Sequence, residues 1–139
     1  MEIAPDQEIA FDEFARVCDL VDGYFDETVD EVAVRTPVSR QQLVAVLARA
    51  QLSGRQRALE GDVRQTDVVY RSRGETLLWF DDGFWTDVGR QHDLDADERR
   101  AARAVHRRVI DVIDGDDSRR VRDRDPFVLV ERFEPYDSP

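Results

Sequence analysis

Apolar side chains recur at helical spacing from the start of the chain. Phe11, Phe14, Cys18, Val21 and Phe25 form a stripe, widened by Ala15 and Val17, that predicts an amphipathic helix from about Gln7 to Phe25, with Gly23 near its end. A short second helix is expected from Glu27 to Val34, with Asp26 as cap and Val29, Val32 and Ala33 facing inward; Pro37 separates it from a third helix. That third helix has the clearest local signal. Ser39 and Gln42 make a capping box, and Val38 and Leu43 occupy the two positions of a hydrophobic staple. Leu43, Val46, Leu47 and Ala50 supply its buried face, and Gly54 reads as its stop. Residues 55–65 are ambiguous, with a short exposed helix around Ala58 and Leu59 as one reading.

The pattern then turns to strands. Asp67–Arg71 and Thr76–Phe80 are rich in Val, Tyr, Leu, Trp and Phe and are joined through Ser72, Arg73 and Gly74, as in a β-hairpin. Asp82-Gly83 favours a second tight turn into Phe84-Trp85-Thr86, so the expectation is a hairpin or a three-stranded meander over residues 67–88. A long helix begins at Asp95, with Glu98 as capping-box partner. Its inner stripe is read as Ala102, Val105, Val109, Val112 and Ile113, and its end is set at Gly115. Asp116–Asp125 is a charged loop, Pro126 opens a possible extra strand over 127–133, and residues 134–139 are expected to fray. Three to four helices packed on one side of a small antiparallel sheet make an α+β fold, and 139 residues suit one domain spanning 1–139.

Composition adds a solvent. All twenty basic side chains are arginine, against thirty-one acids and a formal net charge of -11. Self-repulsion of this kind destabilises a compact domain in dilute buffer. At about 1 M salt the Debye length is roughly 3 Å and the repulsion is largely screened. In its acid excess and its lack of lysine the chain resembles cytoplasmic proteins of salt-in haloarchaea. A GC-rich genome would explain arginine in place of lysine, but not the excess of acids. The acidic N-terminus is no signal peptide, no apolar run reaches the ~18 residues of a membrane span, and a single cysteine excludes an internal disulfide. The expectation is a soluble, cytoplasmic protein with no cofactor and no membrane partner.

The charge is also uneven. Residues 1–34 carry -10, 35–74 carry +5, 75–98 carry -7 and 99–124 carry +4. The basic central block covers the Ser39 helix and the hairpin, and over about residues 8–80 the element order resembles a winged helix-turn-helix domain. That resemblance implies nucleic acid as the alternative partner. Arg40, Gln41 and Gln42 would begin the recognition helix, and Arg71 and Arg73, at the tip of the wing, would contact phosphate. Pro37 and the 55–65 segment depart from that pattern. Salt opposes it as well, because about six phosphate contacts lose roughly five decades of affinity per tenfold rise in salt.

Few residues suggest chemistry. Asp87, His92 and Asp93 could approach a divalent metal, yet their spacing is not diagnostic, and no metal site is assigned. His106 is read as an exposed or boundary residue, and Cys18 as an inert thiol on an apolar face. No serine lies in a nucleophile elbow, and without lysine there is neither a P-loop lysine nor a Schiff base. Trp79, Phe84 and Trp85 cluster around Asp81, Asp82 and Gly83, either filling the core or forming an interaction surface. The leading function class is therefore a non-catalytic protein-interaction or regulatory module that acts through a partner or through self-association. An enzyme ranks behind the winged-helix alternative.

Overall fold

The computed structural model describes residues 5–61, 67–81, 83–114 and 124–130. Helix α1 (Pro5–Val34) contains both expected N-terminal helices as one element, broken only at Asp26, where φ is 2° and ψ is -85°. The two parts stay together because Val17, Val21, Phe25, Val29 and Val32 form one buried stripe across the break. The side chain of Phe11 lies outside the described residues.

Helix α2 (Arg40–Leu59) starts at the expected box. Ser39 Oγ accepts from the Gln42 N–H at 3.1 Å, and Gln42 Oε1 accepts from the Ser39 N–H at 2.9 Å. It does not stop at Gly54. That residue lies in the helix interior, and a Cβ there would fall inside the ring of Phe127. The glycine permits close approach instead of ending the helix. The ambiguous segment is helical as far as Leu59, and residues 62–66 lie outside the described part.

Strands β1 (Val68–Arg71) and β2 (Glu75–Phe80) form the expected hairpin, with a bulge between Val68 and Tyr70. The third strand expected at Phe84-Trp85-Thr86 is instead part of helix α3 (Phe84–Gln91), so the meander reading is corrected. Gly83, at φ 102°, turns the chain; Phe84, Trp85, Val88 and Gly89 are then buried while Thr86, Asp87 and Arg90 are exposed. That is helical periodicity, whereas a strand would have buried Phe84 with Thr86. The place beside β2 goes to β3 (Asp125–Val130), which pairs antiparallel with Leu78 opposite Phe127 and gives the order β1-β2-β3. Residues 131–133 of the expected strand lie outside the described part.

Helix α4 (Ala96–Asp114) is capped as expected: Asp95 Oδ1 accepts from the Glu98 N–H at 2.8 Å and Glu98 Oε1 from the Asp95 N–H at 3.0 Å. Its inner stripe needs correction. Ala101, Ala102, Val105, His106 and Ile110 are buried and Val109 half-buried, while Val112 and Ile113 are exposed. The buried stripe keeps nearly the expected direction around the helix but ends at Ile110, so the last turn carries Val112 and Ile113 past the core. The placement of the helices is corrected too. Leu77, Leu78, Trp79 and Phe80 are all buried in succession, so both faces of β2 are covered. On one face Phe80 stacks on Phe84 of α3, and Phe127 meets Gly54 of α2. On the other, Arg107 of α4 lies over Trp79, and Tyr24 of α1 donates to Glu75 at 2.8 Å.

Candidate functional site

The most elaborate polar arrangement lies at the free edge of β3. Val128 and Val130 direct their backbone away from β2, and there three side chains replace a fourth strand. Gln51 donates to Val128 O at 2.6 Å and accepts from the Val130 N–H at 2.9 Å. His106 Nδ1 accepts from the Val128 N–H at 2.7 Å, and the Trp85 indole donates to Pro126 O at 2.9 Å. Pro126 has no N–H to leave unpaired, which suits an edge position. Asp125 accepts from the Trp85 N–H at 3.0 Å and from Arg103 at 3.1 Å, fixing the start of the strand. The helices thus close an edge that would otherwise be open to pairing.

His106 is fully buried, which overturns the exposed or boundary reading; helical spacing alone could not separate it from Val105. Because Nδ1 accepts from a backbone N–H, the ring proton is on Nε2. That atom has no hydrogen-bond partner among the described residues. The rings of Phe25, Trp85 and Phe127 surround the imidazole with centroids at 5.2, 4.9 and 4.8 Å. Burial pushes its pKa down to about 3. These features make His106 and Gln51 parts of the framework.

The aromatic surface is corrected likewise. Trp79, Phe84 and Trp85 are at most 3% exposed, so none of them faces a partner. They fill the core because β2 is covered on both faces and α3 turns its apolar side inward.

The nucleic-acid candidates do not form one face. Arg40 turns back onto α1, where its guanidinium meets Asp30 at 2.7 Å, Asp22 at 2.8 Å and Asp26 at 3.2 Å. Gln42 is engaged in the cap, and Gln41 is exposed. Arg71 and Arg73 are exposed beside a turn in which Ser72 bonds to Glu75, the residue held by Tyr24. Tyr24 lies about 160–200° around α1 from Asp22 and Asp26. Helix α1 therefore separates the start of α2 from the hairpin tip.

Asp87, His92 and Asp93 do not converge either. Asp87 pairs with Arg57 at 3.2 Å, and His92 Nε2 lies 2.9 Å from Ser53 Oγ. Among the described residues no three His, Cys, Asp or Glu side chains gather to hold a metal ion. No described helix is long and apolar enough to cross a membrane. Cys18 is half-buried, and burial first, then Asp19, raises its thiol pKa.

One surface feature is out of keeping with this acidic coat. Val34 is 85% exposed, Val112 82% and Ile113 48%. Glu31 pairs with Arg108 at 2.6 Å, and Phe25 packs on His106, so α1 and α4 advance in the same sense. Val34 and Val112 each stand one turn beyond the Glu31–Arg108 pair. Together with Ile113 and half-buried Val109 they make an apolar end to the two helices.

A family model described as Domain of unknown function (DUF8048) matches residues 19–131, from within α1 to just past β3. No curated protein and no solved structure matches the chain.

Proposed function

The chain belongs to that family, and we propose that it acts there as a non-catalytic module that self-associates through the apolar end of α1 and α4. The exposure of Val112 and Ile113 on a helix whose other valines and isoleucine are wholly or partly buried carries this reading. In a two-fold contact each residue is used twice, so a small patch doubles its buried area. Fully burying one such side chain contributes about 1.5–3 kcal/mol. We further propose that the medium is concentrated salt. A charge of -11 keeps copies apart in dilute buffer, and screening lets them approach. Nucleic acid is the poorer partner, because Arg40 would have to leave three carboxylates and the hairpin arginines lie across α1 from it.

Light scattering on the intact chain in 0.1 M and 2 M KCl tests both proposals. The expected result is a larger mass and a higher melting temperature in 2 M KCl, with Val112→Asp staying monomeric at an unchanged circular dichroism spectrum. A wild-type chain that stays monomeric at millimolar concentration in 2 M KCl would overturn self-association. A melting temperature indifferent to KCl would overturn the salt reading.

A further inference from the structure

Arg49 stands apart from the other arginines on its helix. Arg40, Arg55 and Arg57 of α2 each meet a carboxylate, the last two Glu13 and Asp87 at 3.6 and 3.2 Å. Arg49 is also half-buried, yet among the described residues it has no acidic partner. Its guanidinium lies 5.5 Å from the centre of the Phe14 ring, which holds it by cation–π attraction. One turn on, Ser53 presents its hydroxyl on the same side of α2. That hydroxyl donates to Gln91 Oε1 at 3.0 Å and so accepts from the His92 Nε2–H at 2.9 Å. Gln91 keeps its amide N–H groups as further donors.

Two acids on the helices beside α2 are already committed, and exposed Asp19, which acts on Cys18 alongside Arg49, forms no ion pair with it. Glu13 and Asp87 belong to Arg55 and Arg57. The Cys18 thiol is held protonated by burial and by Asp19, although Arg49 opposes that shift. Arg49 also acts on His92, whose pKa burial and then this charge hold below its ordinary value. In a chain with eleven more acids than arginines, Arg49 is a half-buried guanidinium without an ion-pair partner among the described residues.

We propose that Arg49 and Gln91, beside the Ser53–His92 hydrogen bond, bind a small oxyanion, a carboxylate or phosphoryl group, where α2 faces α1 and the end of α3, with the neutral His92 ring as a neighbour and not a ligand. The planar guanidinium offers paired N–H donors matched to two oxygens of such a group. The Phe14 ring and the α2 backbone hold that fork in place, which reduces the ordering cost of binding. A metal cation is excluded by the charge of Arg49.

The chain has two histidines, and the other, His106, is sealed in the core, so the ring resonances of His92 can be followed with an internal control. Inorganic phosphate, acetate and chloride are titrated separately at pH 7.5 and constant ionic strength. The site requires a saturable shift of the His92 signals with phosphate or acetate, no movement of His106, and loss of the response in Arg49→Gln at an unchanged spectrum. Phosphate alone acting would name a phosphoryl ligand, and both acting a general oxyanion. An equal response to chloride, a linear response to every salt, or a full response in Arg49→Gln would sink the proposal.

Discussion

Acidification should loosen this fold through His106. The folded protein accommodates only the neutral ring: Nδ1 accepts from the Val128 N–H, Nε2 has no partner among the described residues, and three aromatic rings exclude water. Burial takes the folded pKa to about 3, whereas the unfolded side chain titrates near its ordinary value of about 6.5. Between those limits the unfolded chain binds the extra proton, so stability is full above about pH 6.5 and falls as the pH drops toward 3. Each unit within that window is worth about 1.4 kcal/mol, which gives a loss of about 2 kcal/mol by pH 5 and about 5 kcal/mol across the whole window. A domain of this size is typically stable by about 5–15 kcal/mol, so the effect is large. Urea denaturation from pH 7.5 to 4 in 2 M KCl, on the wild type and on His106→Gln, isolates it. Glutamine keeps an acceptor for Val128 but cannot titrate, and the carboxylates and His92 contribute equally to both proteins. The expected difference in slope approaches 1.4 kcal/mol per pH unit below pH 6. Parallel pH profiles, or an imidazole seen by NMR to titrate near 6.5 in the folded protein, would refute the reasoning.

Two other substitutions examine the packing around β3. Gly54→Ala puts a methyl group into the Phe127 ring and should cost about 1–3 kcal/mol, read as a lowered melting temperature. Gln51→Leu removes the partners of Val128 O and Val130 N–H, each orphaned group costing about 1–3 kcal/mol. Exposed Gln56→Ala is its control and should stay within about 0.5 kcal/mol in the same urea titration.

The candidate surfaces were less legible than the fold. Val112 and Ile113 continue a helical stripe in the sequence, and nothing local tells that the core ends at Ile110. The tryptophans at 79 and 85 read more readily as core filling than as surface, and the covering of both faces of β2 makes them core. Arg49 carries no signal as text, since its distinction is the carboxylate it lacks. Ser53 and His92 are 39 positions apart, beyond any motif.

What the sequence determined by itself is whatever closes within a few residues. The boxes Ser39-Gln42 and Asp95-Glu98, the hairpin across Ser72 to Gly74, and the mixed helix and strand periodicities all rest on contacts at most four positions apart, and propensity encodes these directly. The net charge and the absence of lysine are likewise fixed without a fold. Tertiary structure alone decided that Phe84 to Gln91 coils instead of pairing, because β3 claims the place beside β2. It also decided that Gly54 makes room for a ring, and that Gln51 and His106 serve as backbone substitutes for a strand 77 and 22 positions away. Those roles depend on which surfaces meet, and a side chain's burial and hydrogen-bond partners exist only once they have met.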